Sequence, residues 1–209
     1  MNLKKFWLSV LGAIVLCSAY AQDNPKNIFG VRAGYAASWT TTRGVAASVR
    51  HGYAAGVSDQ ILLDSKVPFY FETGLNFIAK GYEIRGYDDR STTFNYLQLP
   101  ATVNYHIHAG KHVTIEPGAG FYYAFGLGGK RRHGGESSQV FKDGSTSRHD
   151  FGFTCGLSTS IYRLHIGLAW ETGLINIDKN DTVYGNDSLM LGYKKLRNNS
   201  IVVRIGVNF

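Results

Sequence analysis

Long segments that alternate apolar and polar residues are the feature that most constrains the fold of this chain. In the segment 112–126, Phe121 and Tyr123 fall on one face, while Glu116 and Gly120 fall on the other. Successive side chains of a β-strand point to opposite faces, so a period of two predicts strands. No segment beyond the N-terminal region has the long apolar run of a transmembrane helix. We therefore expect an all-β fold.

The alternation recurs in eight segments, which predict an eight-stranded antiparallel up-and-down β-barrel. Each segment is near the length, roughly ten residues, that a tilted strand needs to cross a bilayer. The predicted strands are 27–39, 46–62, 69–82, 94–107, 112–126, 150–162, 164–176 and 198–209.

The polar faces of these strands indicate which side of the barrel meets lipid. A soluble exported barrel would turn its apolar face inward, whereas a membrane barrel does the reverse. The polar faces are rich in Gly and carry few charges, while a surface in water would carry more Lys and Glu. A narrow lumen needs small residues and charges that compensate one another, because an unpaired buried charge is costly. We predict a lumenal charge network of three bases and three acids: Arg32, Lys80, Arg204, Glu72, Glu116 and Glu171.

The connections alternate between long and short. Long polar connections follow the odd-numbered strands, the largest being 127–149 and 177–197, and short ones follow the even-numbered strands. Barrels of the bacterial outer membrane have short periplasmic turns and longer outer loops. We therefore predict an integral outer-membrane protein with periplasmic termini and extracellular long loops. An eight-stranded barrel has an interior just filled by side chains, which argues against a general porin.

Aromatic residues near the strand ends match the interfacial girdles of a membrane protein. The last strand alternates up to Phe209, and we predict that this terminal aromatic residue is the signal by which the barrel is recognised for assembly. The predicted periplasmic rim contains Phe29, Phe69, Tyr105, Tyr162 and Phe209, and the predicted outer rim contains Trp39, Tyr82, Phe94, Phe125 and Phe151.

The N-terminal region has the pattern of a secretory signal peptide. Lys4 and Lys5 precede an apolar stretch at 6–17, and small residues occupy Ala19 and Ala21 before a cleavage site. Residues 1–21 are therefore predicted to be the signal peptide and 22–209 the barrel domain. A lipoprotein reading through Cys17 is disfavoured because Leu16 stands where a small residue is expected. The exported chain would keep only Cys155 and form no internal disulfide.

One dense basic cluster stands out from otherwise scattered charges. Lys130, Arg131 and Arg132 are consecutive and are followed by His133. No nucleic-acid-binding motif accompanies them, and we expect no nucleic-acid partner. On an exported protein, such a segment is predicted to contact anionic glycolipid, and a solvated loop is the alternative.

Two sets of residues raise chemical alternatives. Segment 127–149 is rich in Gly and Ser, ends in His149 and precedes Asp150. These side chains could serve an enzyme at the outer rim that acts on lipid or peptide, but a flexible Gly/Ser loop explains the same residues and is the favoured interpretation. His106, His108 and His112 surround one turn and could bind a transition metal, although a polar turn explains them too. The sequence predicts no enzyme, cofactor or metal.

Four stretches resemble the PorT-like outer-membrane β-barrel family, which is related to small barrels of the OmpA and OmpX type. They are "FGVRAGYAAS", "FETGLNFIAKGY", "FNYLQLPATVNY" and "IEPGAGFYYAF". The resemblance implies a Gram-negative envelope barrel with no catalytic motif and an accessory role in protein secretion or surface assembly. It implies as partners outer-membrane lipid and lipopolysaccharide, the barrel assembly machinery, and secretion-system or surface proteins. A non-enzymatic scaffold is therefore the predicted function, with a rim enzyme or a narrow small-solute channel as alternatives.

Overall fold

The computed structural model of the protein describes eight segments of the chain. The signal peptide predicted at 1–21 lies outside these residues. No helix in the described part of the chain is long and apolar enough to cross a membrane. The described segments are 25–41, 48–64, 66–84, 90–109, 111–133, 135–142, 144–179 and 196–209.

The described residues form ten strands, of which eight build the wall of a closed antiparallel barrel. Each long strand pairs with the next long strand, and the last pairs with the first, so that Tyr35 lies opposite Val203. This confirms the predicted fold. Two short strands, β5 and β7, pair only with β6. The strands are β1 (Asn27–Thr41), β2 (Arg50–Leu62), β3 (Phe69–Ile84), β4 (Arg90–Tyr105), β5 (Ile107–His108), β6 (Val113–His133), β7 (Glu136–Gln139), β8 (His149–Ile161), β9 (Leu164–Gly173) and β10 (Arg197–Asn208).

The wall is apolar outside and largely polar inside, as the sequence predicts for a membrane barrel. Side chains alternate along each strand, so the same period of two that pairs the backbone also sorts the residues between lipid and lumen. Exposed apolar side chains of the wall include Val31, Tyr35, Val57, Leu75, Leu99, Val103, Phe121, Leu157, Leu168, Val203 and Ile205.

The two ends of the barrel differ in their connections. The turn end has the short connections 63–68, 106–112 and 162–163, together with the first and last residues of the wall. The loop end has the connections 42–49, 85–89, 134–148 and 174–196, of which the structure describes only parts.

Five aromatic residues predicted on one rim lie exposed at the turn end. The Phe29 and Phe209 rings are 6.3 Å apart, and the Phe69 and Tyr105 rings are 4.9 Å apart. Tyr162 stacks on the ring of His112 at 4.3 Å. These pairs mark the border of the apolar wall at this end.

The rim predicted at the loop end is only partly correct. Trp39, Phe125 and Phe151 lie on the outward face, but Tyr82 and Phe94 lie on the inward one. Phe94 is 1% exposed and has the same strand parity as Tyr96, which also points into the barrel. The prediction for Tyr82 and Phe94 was wrong because position near a strand end does not decide which face a side chain occupies.

Phe94 belongs to an apolar plug that covers the lumen at the loop end. Its ring lies 6.2 Å from that of Phe141, which is in the connection after β7. Val140 and Ile177, also from connections, are fully buried in the same cluster. The lumen is therefore covered at this end by side chains that strand periodicity does not predict.

Glu171 lies at the centre of one group of charged and polar side chains in the lumen. Its carboxylate lies 2.8 Å from Lys80 Nζ and 2.9 Å from Arg204 Nη2. Gln98 Nε2 and Ser200 Oγ donate to the same carboxylate at 3.1 and 3.0 Å. The Lys80 ammonium also sits 4.1 Å from the ring centre of Tyr122. Together these contacts cross-link β3, β4, β6, β9 and β10 through the barrel interior.

The other predicted lumenal charges are grouped differently from the expected network. Gln60 Nε2 donates to both Glu72 and Glu116, so an amide links these two carboxylates. Glu116 also accepts from Ser160 Oγ, and His106 and His165 lie within 4.0 Å of its carboxylate. Glu72 and Glu116 are therefore contacted by polar side chains from several strands.

Arg32 is 4% exposed and makes one polar contact within the described residues, from Nη1 to the carbonyl oxygen of Val207 at 3.4 Å. It therefore departs from the prediction of one ion-pair network among the six lumenal charges. Arg32, Glu72, Glu116 and Arg204 border a cavity of about 80 Å³, which is room for a few water molecules.

We predict that Phe94→Ala lowers the free energy of unfolding by about 3 kcal/mol or more, because it leaves a cavity in a buried cluster. Phe125→Ala is the matched control, since Phe125 is exposed on the outer wall, and it should cost much less. Denaturant titration of both variants in phosphatidylcholine vesicles measures the difference. Equal losses would contradict the inward placement of Phe94.

We predict that Glu171→Gln lowers the free energy of unfolding by about 3 kcal/mol, because Lys80 loses its buried counter-charge. Glu136→Gln removes an exposed carboxylate of β7 and should leave stability nearly unchanged. Lys80→Met should cost less in the Glu171→Gln background than in the wild type, because the unpaired ammonium is then gone. Additive losses in the same denaturant titration would show that the two residues are not coupled.

Candidate functional site

The basic cluster found in the sequence is part of the barrel wall. β6 runs to His133, so Lys130, Arg131 and Arg132 are strand residues, although the prediction placed them in a loop beginning at 127. They pair with β4 on one side and with β7 on the other. Their backbone is therefore fixed by hydrogen bonds on both edges.

A β-bulge at Leu127 determines which way each basic side chain points. Tyr96 pairs with Gly126 and Asn95 with Gly128, which leaves Leu127 without a partner on β4. A bulge adds one residue to one strand, so the residue parity of the two faces reverses beyond it. Odd-numbered residues of β6 face outward up to Phe125, and even-numbered residues face outward after Leu127.

The reversed parity splits the basic cluster. Lys130 and Arg132 pair with Thr93 and Ser91, which lie on the outward face of β4, and both basic side chains are exposed. Arg131 pairs with the buried residue Thr92 and donates to Thr146 Oγ1 at 3.3 Å, on the other side of the sheet. Arg131 therefore does not join Lys130 and Arg132, in contrast to the prediction that all three act on one surface.

A third cation, Arg50, completes a groove with Lys130 and Arg132. Its Nη1 donates to Ser91 Oγ at 2.9 Å and lies 3.6 Å from Glu83 Oε1. The groove encloses about 290 Å³ and is bordered by Arg50, Ser91, Thr93, Asn95, Gly129, Lys130 and Arg132. We call it the basic groove. Among the described residues that border it there are three cations and no carboxylate.

Gly81 makes room for Arg50 to reach this groove. A Cβ atom at position 81 would lie 2.7 Å from Cδ of Arg50 and 2.0 Å from the carbonyl oxygen of Thr92. Glycine is used where another chain segment approaches the backbone this closely. The sequence analysis missed Arg50, because a lone arginine 80 positions before Lys130 gives no local signal.

The basic groove begins where the lipid-facing wall ends. Along the outward face of β4, the apolar residues Val103, Leu99 and Leu97 are followed by Asn95, Thr93 and Ser91. The stretch from Tyr105 to Leu97 has about the length of a strand that crosses a hydrocarbon layer. The basic groove therefore lies at the depth of lipid headgroups, on the same face of the wall that contacts acyl chains.

His149 and Asp150 occupy opposite sides of the wall. His149 is exposed, and its Nδ1 is 2.6 Å from the hydroxyl of Tyr123. Asp150 is buried in the lumen, where it accepts from Asn198 Nδ2 at 3.0 Å. Ser147 Oγ contacts backbone atoms of His149, not its imidazole. These three side chains are therefore not arranged as nucleophile, base and orienting acid.

The three histidines around the turn at 106–112 are not gathered either. His106 is buried and stacks on Tyr70 at 3.9 Å, whereas His108 is exposed and His112 contacts Tyr162. Within the described segments, no three His, Cys, Asp or Glu side chains form a cluster that could hold a metal ion.

The remaining predicted residues lie away from the basic groove. Cys155 is a free, half-buried thiol on β8. Phe209 lies at the turn end, where its backbone N–H donates to the carbonyl oxygen of Phe29 at 2.8 Å. The lumenal charges are enclosed by the wall and by the plug. The basic groove is therefore the best-formed candidate for an interaction site in the described structure.

Comparison with solved structures finds other membrane barrels of similar size. The attachment invasion locus protein Ail of Yersinia pestis is 13% identical, with 88% of this chain and 100% of that one covered at a TM-score of 0.48. Neisserial surface protein A is 13% identical, with 87% and 97% covered at 0.49. OprG of Pseudomonas aeruginosa is 15% identical, with 88% and 96% covered at 0.48. Identities this low carry no information about shared function.

No curated protein matches the chain. The sequence profile described as "Outer membrane protein beta-barrel domain" matches residues 20–179, which is more than half of the chain. This match is coarser than the PorT-like family that the four stretches resemble. The chain belongs to the outer membrane protein beta-barrel domain family and is an integral protein of the outer membrane.

Proposed function

We propose that this protein is a non-enzymatic scaffold of the outer membrane that binds anionic glycolipid at its loop end. The basic groove is the observation that carries the proposal, since three cations converge where the apolar wall gives way to polar residues. A closed barrel with a filled lumen suits this role, because the wall holds the groove rigidly at one depth in the membrane. The scaffold acts through Lys130 and Arg132, with Arg50 as the third contact.

The proposal includes the orientation of the barrel. The first residue of β1, the last residue of β10 and the short connections lie at the turn end. The long connections lie at the loop end. In bacterial outer-membrane barrels, short turns face the periplasm and long loops face outward. In this orientation the basic groove faces the outer leaflet, and lipopolysaccharide is its glycolipid partner. Phe209, at the turn end, then lies where the barrel assembly machinery would recognise it.

An accessory role in protein secretion or surface assembly is the second part of the proposal. It rests on the PorT-like stretches in β1, β3, β4 and β6, such as "FNYLQLPATVNY" in β4. These stretches build the wall, and of the residues that border the basic groove only Asn95 belongs to them. The role would be to hold surface proteins or their glycolipid anchors near this site. Secretion-system or surface proteins are its expected protein partners.

We predict that the wild-type protein in phosphatidylcholine nanodiscs binds lipopolysaccharide, and that the double variant Lys130→Ala, Arg132→Ala binds it roughly tenfold more weakly at low salt. Added salt should reduce the difference in affinity between the wild type and the variant, because salt screens exposed charges. The double variant Lys142→Ala, Lys179→Ala removes two exposed lysines elsewhere at the loop end and is the control for net charge. Biolayer interferometry with immobilised nanodiscs measures the affinities. No binding by the wild type would overturn the glycolipid proposal.

We predict that clean deletion of the gene causes a defined set of exported proteins to accumulate in the periplasm. Quantitative proteomics of periplasm, cell surface and medium measures this distribution. Complementation with the wild-type gene should restore it, whereas the Lys130→Ala, Arg132→Ala variant should restore it only in part. An unchanged distribution in the deletion strain would contradict the accessory role and leave the glycolipid proposal to its own test.

A further inference from the structure

We propose that the basic groove recognises one phosphate monoester carried by a lipid, and that it does so through Arg50, Lys130 and Arg132 without Arg131. This inference rests on the proposed function and names the chemical group that the site binds. Three features of the groove support it: the charge, the paired backbone that presents the cations, and the position on the lipid-facing wall.

The charge of the groove fits a doubly charged group. Lys130 and Arg132 have no ion-pair partner among the described residues, while Arg50 has Glu83 3.6 Å from one of its guanidinium nitrogens. The site thus offers two unpaired cations and one that is partly compensated. A phosphate monoester carries a charge of about −1.5 to −2 at neutral pH and has three strong acceptor oxygens. A diester carries less charge and has fewer free oxygens, so it leaves one cation without a partner.

The backbone of the groove is in place before an anion binds, because β6 pairs with β4 on one edge and with β7 on the other. Lys130 and Arg132 are two positions apart on one strand, so both point to the same face. The hydrogen bond from Arg50 to Ser91 Oγ fixes the guanidinium on the opposite border. Thr93 and Asn95 line the floor between these cations and offer additional hydrogen-bond donors. An anion bound there would touch cations on both borders of the groove, and the sheet beneath would not have to move.

The position of the groove favours a lipid as the carrier of the phosphate. Leu97 and Leu99 lie directly below Asn95 on the outward face of β4, and Leu127 is half exposed at the bulge. A lipid whose headgroup enters the groove can lay its acyl chains along these residues. A free phosphate ion would gain the polar contacts only.

The inference is tested first with ligands and then with substitutions. The substitutions are informative because the bulge at Leu127 turns adjacent residues of the basic cluster to opposite sides of the sheet. The probes are short-chain phosphatidic acid, short-chain phosphatidylglycerol and inorganic phosphate, each titrated into the protein in a non-ionic detergent. Phosphorus NMR line broadening gives the dissociation constants. We expect phosphatidic acid to bind at one saturable site, at least tenfold more tightly than phosphatidylglycerol or inorganic phosphate, an advantage of about 1.4 kcal/mol.

Single substitutions identify the residues that hold the anion. Lys130→Gln and Arg132→Gln should each weaken the binding of phosphatidic acid about tenfold, the effect of losing one charge-assisted hydrogen bond. Arg131→Gln is the matched control, since it removes the same charge from the same strand but on the other side, and should change binding less than twofold. Arg50→Gln should also weaken binding, and a circular dichroism melt checks that this variant keeps its fold.

Three results would overturn the inference. If Arg131→Gln weakens binding as much as its neighbours do, the site responds to net charge and not to a defined groove. If phosphatidylglycerol binds as tightly as phosphatidic acid, the group recognised is not a monoester. If inorganic phosphate binds as tightly as phosphatidic acid, the lipid is not part of the ligand. In all three cases lipopolysaccharide binding by the wild type would still support the proposed function, whereas its absence would end both proposals.

Discussion

Closure of the backbone hydrogen-bond ladder is the constraint on which the rest of this structure depends. A strand that crosses hydrocarbon has no water to satisfy its peptide groups, so every wall strand needs a partner on both sides. The pairing of β1 with β10 supplies the last of these partners. Once the ring is closed, strand parity alone decides whether a residue meets lipid or the lumen. The inverted distribution of apolar and polar residues follows from this one requirement.

Closure of a ring of eight strands leaves a narrow interior, and that determines how charges can be kept there. The Glu171 carboxylate forms ion pairs with Lys80 and Arg204 within 2.9 Å. Two neutral donors, Gln98 and Ser200, also hydrogen-bond to it. Breaking such a group would leave charges unpaired in a region with little water. The lumen therefore works as a polar core that stabilises the barrel, and the plug around Phe141 covers it at the loop end. The outer wall and the loop end remain as the surfaces available for binding.

Strand periodicity predicted the wall and the inward position of the charges because both depend on local sequence. The eight wall strands follow from alternation, and so does the outward position of residues such as Leu99 and Val203. Periodicity places Phe94 on the inward face with Tyr96, but it failed to predict the plug, because Phe141 lies 47 positions later in a connection. It also failed for the separate groups of lumenal charges, since the contacts of Glu116 with Gln60 and His165 join distant strands.

The basic groove shows how one inserted residue can convert a run of like charges into a site. Without the bulge, strict alternation after Phe125 would turn Arg131 outward and its two basic neighbours inward. Leu127 breaks the alternation, and the pairing of Lys130 with Thr93 restores the register with the faces exchanged. Two cations then lie on the lipid-facing side with Arg50, which reaches them because Gly81 has no side chain. Only the paired structure of β4 and β6 shows this arrangement, since the sequence of either strand alone contains no sign of the register shift.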